Sequence, residues 1–309
     1  MSCFNITHLA SQLGSNKITY SDFDSKFPEW NMRLVKTKTG IENIFESSTH
    51  ENVLELSIKS CKKTLTNFDK KKIDCVIVVT QTAEKKLPSV SCVLQDKLNL
   101  NKNIIAYDIN LGCSGFIYAL ATLYSLINSD FAKNILLVCS DTYTKYFDRE
   151  NRTCRSLFSD AASSCIVSKS NSNFSPSFAF FTDGSGSKDL MESKNLITMN
   201  GSEVFVFSAT SVPKLFKEVL KKSNCTIDRI KHFVFHQASK IILDKLILDL
   251  NIPKNKFHIN YHEVGNTVSA SIPILLEKLV KNNILKKNDL TMLLGFGVGL
   301  SAGACIIKW

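Results

Sequence analysis

The chain has 309 residues, 44% of them hydrophobic, which is enough to bury one large core or two fused cores. Lys and Arg number 38 against 28 Asp and Glu, giving a net charge of +10; this indicates an anionic partner, although short lysine clusters are also typical of solvated helix ends. No nucleic-acid motif accompanies the charge, no stretch approaches the roughly 18 apolar residues of a membrane span, and no Cys/His spacing resembles a metal site. The ten cysteines are scattered without a CxxC pair. We therefore expect a cytoplasmic, reduced protein with no metal, nucleic acid or membrane insertion.

Strand-like and helix-like segments alternate along the first half of the chain. Apolar runs typical of buried strands are CVIVVT, IIAYDI, ILLVCS and SSCIVS, and segments with helical spacing are NVLELSIKSCKKTL, SVSCVLQDKLNL and FIYALATLYSLI. Such alternation predicts an α/β fold, and the fully apolar strands predict sheets that are covered on both faces.

A cysteine occupies the predicted turn in NLGCSGF, residues 110 to 116. The preceding residues 104 to 109 are rich in β-branched side chains, while Phe116, Leu120 and Leu123 recur at helical spacing, so the segment is predicted to be strand, tight turn and helix. Cys113 would then lie at a helix N-terminus, where backbone N–H groups and the helix dipole lower a thiol pKa. From its position alone, a buried core cysteine is an equally good interpretation.

The second half repeats the alternation. The segments are VPKLFKEVLKKS, HFVFHQ, SKIILDKLILDL, SIPILLEKLVKNN, LTMLLGF and GACIIKW, of which the second and the last two are strand-like. This indicates two α/β units in tandem. The Ser-, Asn-, Gly- and Phe-rich residues 170 to 187 are predicted to be the crossover between them.

Three further signals lie in the second half. His236 follows a strand-like run and is a candidate base or hydrogen-bond donor, although a single histidine is more often structural. Asn266 stands at a predicted helix start, where an N-cap is the simplest interpretation. The run GFGVGLSAG contains Gly295, Gly297 and Gly299, which would let backbone N–H groups approach a ligand oxygen, although such turns are also common without this role.

The order of cysteine, histidine, asparagine and glycine loop resembles the 3-oxoacyl-[acyl-carrier-protein] synthase III family, which has a thiolase-like fold. The resemblance covers nearly the whole chain. It is carried by TKTGI (37–41), LPS (87–89), DINLGCSGF (108–116), RSLFSDAAS (155–163), MNGSEVF (199–205), HQAS (236–239), GNTVSAS (265–271) and GFGVGLS (295–301). It implies two similar α/β halves in α-β-α-β-α layers: residues 1–170 with the nucleophile, and residues 171–309 with the histidine, asparagine and glycine loop.

The resemblance also implies roles for the site residues. Cys113 would be the nucleophile that takes an acyl group from a thioester, and His236 and Asn266 would donate hydrogen bonds to a malonyl thioester carbonyl during decarboxylation. The backbone N–H groups of Cys113 and Val298 match the family's oxyanion hole. The scheme requires no metal and no tightly bound cofactor; coenzyme A or carrier-protein thioesters are substrates.

Among the substrate-binding positions that the resemblance implies, some match the family and others depart from it. Arg152 aligns with an arginine near the adenine of coenzyme A, and Lys240 stands beside Ile241, where the family has a carrier-docking arginine. Leu34 replaces the usual tryptophan, so the acyl donor is either acyl-CoA or an acyl carrier protein. The remaining substrate-binding candidates are Phe205 at the pantetheine arm, Leu87 reaching from one protomer of a homodimer into the other, and the loop glycines Gly297 and Gly299.

Two functions therefore stand. The first is a condensing enzyme that joins an acyl group on Cys113 to malonyl carrier protein with loss of carbon dioxide. The alternative passes the acyl group from Cys113 to an alcohol or amine. The presence of both His236 and Asn266 favours condensation, because simple transfer could use a histidine base without the asparagine.

Overall fold

The computed structural model describes residues 3–171 and 174–309. Its core consists of two five-stranded sheets with helices between them and on their outer faces, which confirms the predicted layered α/β architecture. Two residues of the predicted crossover, 172 and 173, lie outside the described residues. The division of the chain into two halves at residue 170 stays a prediction.

Fourteen strands are present in the described residues, and ten of them form the two large sheets. The strands are β1 (Cys3–Leu13), β2 (Asn16–Thr19), β3 (Asn43–Glu46), β4 (Cys75–Val79), β5 (Ile105–Ile109), β6 (Asn134–Asp141), β7 (Ala161–Ser170), β8 (Ser177–Thr182), β9 (Leu190–Ser193), β10 (Leu196–Met199), β11 (His232–Phe235), β12 (Phe257–His258), β13 (Leu290–Gly297) and β14 (Ser301–Lys308).

The α-helices follow the same alternation. They are α1 (Tyr20–Lys26), α2 (Met32–Thr39), α3 (Val53–Thr64), α4 (Val90–Lys97), α5 (Gly115–Asn128), α6 (Arg152–Arg155), α7 (Gly201–Ser223), α8 (Lys240–Asp249), α9 (Tyr261–Val264) and α10 (Ser271–Lys281).

The two large sheets have the same internal plan. The first has strand order β1-β7-β6-β4-β5 and the second β8-β14-β13-β11-β12. In each sheet the first three strands in this order pair antiparallel and the last three pair parallel. Equivalent strand ends from the two sheets therefore carry equivalent loops, and these loops hold the candidate site residues.

Two helices form the middle layer. α5 contacts strands of both sheets, and so does α10, whereas α3 and α4 cover the outer face of the first sheet and α7 that of the second. Every residue of β4 is buried, as expected for a parallel strand with helices on both faces. The buried side chains of α5, among them Phe116, Leu120, Leu123 and Ile127, form one broad apolar face that packs between the two sheets.

The predicted elements are found, with two differences. The predicted crossover contains β8, where the run SFAFFT pairs with β14 at the edge of the second sheet. The helix predicted from Val212 begins eleven residues earlier, at Gly201, because Asn200 accepts the Glu203 N–H and caps it. No helix in the described residues combines the length and apolar character needed to cross a membrane.

Candidate active site

A cavity of about 610 Å³ leads into the molecule between the two halves, and Cys113, His236 and Asn266 all line it. Each of the three is almost fully buried. The rest of the lining is mostly apolar and includes Phe158, Phe205 and Phe296. The cavity therefore combines a thiol, an imidazole and an amide in a site whose walls are mostly apolar.

Cys113 lies in the turn between β5 and α5, one residue before the N-cap Ser114. Burial raises the pKa of its thiol to about 12, and the Asp141 carboxylate also raises it; hydrogen bonds from the backbone N–H groups of Cys113 and Val298 act in the opposite direction. The sequence-based prediction of a lowered thiol pKa is therefore wrong. The helix terminus is where it was predicted to be, but removal of the thiolate from water has the larger effect.

The glycine loop connects β13 and β14 and packs directly on Cys113. A Cβ at Gly295 would lie 2.5 Å from the Cys113 carbonyl oxygen, and one at Gly297 would lie 3.0 Å from Sγ. Ser301 donates to the Val298 carbonyl at 2.8 Å and is also bonded to Ser114, which ties the loop to the start of α5. Only glycine permits this approach, and it brings the Val298 N–H to the Cys113 sulfur.

His236 follows β11, and its position is fixed on two sides. Its Nδ1 lies 2.6 Å from the Ser271 hydroxyl, and its ring meets Phe296 edge to face. The Gln237 N–H donates to the same hydroxyl at 3.4 Å, which leaves the Ser271 proton for Nδ1; in that tautomer the ring proton lies on Nε2. Burial lowers the pKa of His236 to about 3, although a backbone hydrogen bond with Val268 acts to raise it. The imidazole is therefore neutral at physiological pH and donates from Nε2.

Asn266 precedes α10 but does not cap it, because Ala270 is the N-cap of that helix. Its Oδ1 accepts the Val268 N–H at 3.0 Å within its own loop, and its backbone pairs with Phe158 of the first half. The amide oxygen is thus engaged locally, which orients the amide NH₂ as the group available for donation. The N-cap interpretation of Asn266 is therefore wrong.

The predicted substrate contacts divide into two groups. Arg152, Phe205 and Gly297 line the cavity. Gly299 and Leu87 are not among the described residues that line it, and Leu87 is 84% exposed. Ile241 lies at the cavity, whereas its neighbour Lys240 is paired with Asp244 on the surface of α8.

Trp30 does not substitute for the tryptophan that Leu34 replaces. Its ring is buried and stacks between Phe23 and Phe27, and its carbonyl accepts a hydrogen bond from Arg152 Nη1 at 3.0 Å. Leu34 is half exposed. Next to Val35 of the cavity lining, the chain therefore presents an aliphatic side chain in place of that tryptophan.

Sequence reasoning missed Ser271, Phe296 and Asp141. Ser271 and Phe296 contact His236, and Asp141 acts electrostatically on Cys113. A signal for Asp141 was present, because an acid directly after the apolar run ILLVCS stands at the carboxyl end of a buried strand. In the described residues, no three His, Cys, Asp or Glu side chains are grouped as a metal site would require.

Comparisons with known proteins agree with this architecture. Residues 107–184 match the family model for 3-oxoacyl-[acyl-carrier-protein (ACP)] synthase III, and residues 220–309 match that for its C-terminal part. The beta-ketoacyl-[acyl-carrier-protein] synthase III of Acholeplasma laidlawii (strain PG-8A) is 37% identical, covering 95% of this chain and 94% of that relative.

Solved structures give the same result. A 2.1 Å crystal structure of a 3-oxoacyl-(acyl-carrier-protein) synthase III superposes with a TM-score of 0.96 at 30% identity, covering 99% of this chain and all of that one. The enzyme from Aquifex aeolicus VF5 superposes with a TM-score of 0.93 at 30% identity and the same coverage.

The fold is that of the thiolase-like condensing enzymes, as the resemblance implied. Within them, the chain belongs to the 3-oxoacyl-[acyl-carrier-protein] synthase III family. It is a condensing enzyme and a transferase. The comparisons do not favour the alternative function, transfer to an alcohol or amine.

The raised pKa of Cys113 predicts how the free enzyme reacts with alkylating agents. Because burial stabilises the thiol over the thiolate, the rate of Cys113 modification by iodoacetamide should rise steadily from pH 7 through pH 9, without reaching a plateau. Peptide mass spectrometry would measure the rate at Cys113, with the exposed Cys92 as an internal reference for an accessible thiol. A plateau below pH 8 would show that the thiolate is stabilised in the resting site.

Proposed function

We propose that this enzyme transfers an acyl group to Cys113 and then joins it to a malonyl thioester with loss of carbon dioxide, giving a 3-oxoacyl thioester. The proposal makes it a beta-ketoacyl-[acyl-carrier-protein] synthase III type acyltransferase. One observation carries it: the thiol, a neutral imidazole and an amide line the same buried cavity. The relatives' names supply the substrate class.

In the first step the Cys113 sulfur attacks the carbonyl carbon of the acyl thioester. The new carbon–sulfur bond forms to Cys113, the bond to the donor sulfur breaks, and the donor leaves as a thiol carrying the proton that Cys113 loses. The N–H groups of Cys113 and Val298 would stabilise the oxyanion of this step, for which a single donor is worth about 3 kcal/mol. The raised pKa of the Cys113 thiol favours loss of its proton as the sulfur attacks.

In the second step the malonyl carbon–carbon bond breaks, and its electron pair remains as an enolate when carbon dioxide leaves. Nε2–H of His236 and the amide NH₂ of Asn266 would donate to the thioester oxygen on which this charge develops. The carbanion then attacks the acyl carbon, the bond to Cys113 breaks, and the thiolate takes a proton from solvent. A neutral histidine suits this step because its N–H is a very weak acid, so it donates a hydrogen bond to the enolate and keeps its proton.

Separate assays of the two steps test these roles. His236→Ala and Asn266→Ala should each lower carbon dioxide release from malonyl thioester by about 100-fold, because each removes one donor to the enolate. The rate of Cys113 acylation, measured by intact-protein mass spectrometry, should stay within about threefold of the wild-type rate. His262→Ala, on a half-exposed histidine of α9, is the matched control. Wild-type decarboxylation by either cavity variant would contradict the assignment.

Carrier docking follows from the cavity entrance, where Ile241 is half exposed next to Lys240. We assign Lys240 to an acidic carrier protein, since a positive charge beside an apolar contact suits a negatively charged partner that inserts a flexible arm. The lysine is exposed and its pairing with Asp244 is a surface ion pair, so exchange of partners costs little. The acyl donor is coenzyme A- or carrier-bound.

Helix α8 offers a matched test of docking. Lys240 and Lys245 each pair with an aspartate four residues on, but only Lys240 adjoins the cavity entrance. Lys240→Glu should raise KM for malonyl carrier protein about 3- to 10-fold and leave KM for malonyl-CoA unchanged, whereas Lys245→Glu should have a smaller effect. The difference should shrink as salt is raised. Equal KM changes for both lysines, or for both malonyl donors, would rule out docking at Lys240.

The edge of the first sheet supports a homodimer. β5 pairs only with β4 among the described strands, and its five residues IAYDI are all half-buried although most are apolar. An unprotected apolar edge strand is suited to pairing with a second chain. The exposed Leu87 precedes α4, which packs on β5, so a second copy at this edge would bring its own Leu87 to the interface.

A charge at this edge should separate the protomers. Tyr107→Glu would place a carboxylate in the middle of the proposed interface, and the species should change from twice the 34.6 kDa chain mass to the chain mass in size-exclusion chromatography with light scattering. Phe131→Glu, at a 70% exposed position outside β5, should leave the mass unchanged. A wild-type protein of single-chain mass would refute the dimer.

A further inference from the structure

One buried carboxylate has no part in the chemistry proposed above. Asp141 is the last residue of β6 and is fully buried. Burial raises its pKa to about 6, although hydrogen bonds oppose the shift, so it is ionised at physiological pH. A buried charge is costly unless each of its lone pairs has a donor, so its partners indicate what it is for.

On the first-half side, Asp141 holds the segment that follows β4. Its Oδ1 accepts the Gln81 N–H at 2.9 Å, the Thr82 hydroxyl at 3.2 Å and the Thr80 hydroxyl at 3.4 Å. These three donors belong to one turn at the carboxyl end of a neighbouring strand. They satisfy only one of the two carboxylate oxygens.

The other oxygen crosses to the second half of the chain. Oδ2 accepts a short hydrogen bond from the Ser269 hydroxyl and a longer one, 3.4 Å, from the Ser269 N–H. Ser269 lies in a short 3₁₀ turn, Val268–Ala270, immediately before α10. A single carboxylate thus links the strand ends of the first sheet to the loop that carries Asn266.

That loop contains both of the contacts that orient the proposed hydrogen-bond donors. Asn266 is held by the Val268 N–H, and Ser271, two residues after Ser269, is bonded to Nδ1 of His236. Val268 has a φ of 51°, a left-handed conformation that is unfavourable for a β-branched residue. A residue in such a conformation persists only where its surroundings hold it, and Ser269 is the neighbour that Asp141 binds.

We propose that Asp141 is a positioning residue that holds the loop from Asn266 to Ser271 against the first half of the chain, and thereby sets both His236 and Asn266 relative to Cys113. The proposal rests on the function proposed above. Cys113 itself is fixed by α5 and the glycine loop, so acylation does not need this link. Loss of the link should therefore impair decarboxylation and condensation more than acylation.

Ser269→Ala is the sharpest variant, because it removes one hydroxyl on the second-half side and leaves the first-half donors to Asp141 in place. We expect kcat for condensation, with an acyl-CoA and malonyl-CoA as probes, to fall about 10- to 100-fold, since small misplacements of reacting groups have effects of that size. The rate of Cys113 acylation should stay within about threefold of wild type. Asp141→Asn should likewise lower condensation and spare acylation, because asparagine has the same shape but can no longer accept a hydrogen bond from every donor.

Thr82→Val is the matched control. It also removes a hydroxyl from Asp141, on the first-half side, and in addition removes the acceptor of the Thr142 N–H, so it should lower Tm at least as much as Ser269→Ala. Its condensation rate should nevertheless fall less than that of Ser269→Ala, because the Gln81 N–H and the Thr80 hydroxyl still bind Oδ1 of Asp141. A general loss of stability would instead reduce condensation in both variants in proportion to Tm.

The Cys113 thiol gives a second readout. Asp141, together with Tyr143 and Cys139, forms the group of titratable side chains around this strand end, and its charge raises the thiol pKa. In Asp141→Asn the pH profile of Cys113 alkylation should therefore move to lower pH while condensation falls. A merely loosened site would raise the alkylation rate equally at every pH.

Two results would overturn the positioning role: wild-type condensation in Ser269→Ala, or a parallel loss of acylation and condensation. Failure of the proposed function gives a different pattern, visible in the wild-type enzyme alone. A wild type that acylates Cys113 but releases no carbon dioxide from malonyl-CoA or a malonyl carrier protein would refute condensation, and the positioning role would fall with it.

Discussion

Burial of α5 and α10 between the two sheets is the constraint on which the site depends. Each helix begins at the sheet edge where the parallel strands end, and α5 starts two residues after Cys113 while α10 starts five residues after Asn266. Because both helices pack on strands of both sheets, neither can shift without disturbing the two cores. The thiol and amide therefore face one cavity as a consequence of the fold's internal repetition, with His236 supplied by the end of β11.

The same burial determines the protonation of the site. Removing water raises the pKa of the Cys113 thiol to about 12 and lowers that of His236 to about 3, so both groups are uncharged in the free enzyme. Both shifts act against a resting thiolate–imidazolium pair. In the proposed mechanism, negative charge develops on the substrate carbonyl oxygen, where the backbone N–H groups of Cys113 and Val298 would stabilise it. Burial thus makes the resting thiol less reactive, and it also strengthens the hydrogen bonds that the site can donate to a developing anion.

The sequence predicted much of this architecture, because fully apolar strands and helical spacing are local patterns. The strands from Cys75 and Ile105 and the turn at Cys113 follow directly from them. The sequence did not predict β8, because its six residues lie in a Ser- and Gly-rich stretch and form a strand only by pairing with β14. The sign of the Cys113 pKa shift was wrong for a related reason: a helix start is visible in the sequence, but the depth at which it is buried is not.

In the proposed mechanism, the charge of Asp141 gives a reason for an amide at position 266. A carboxylate there would stand beside the forming enolate and, with Asp141 already ionised in the same buried region, would add a second negative charge. Asp141 escapes this conflict because its charge is spread over hydrogen bonds from Gln81, Thr82 and Ser269. Asn266 keeps its oxygen on the Val268 N–H and turns only its donor side to the substrate. In the proposed arrangement, the negative charge that holds the loop is thus separated from the groups that would stabilise an anion, and one buried site can contain both.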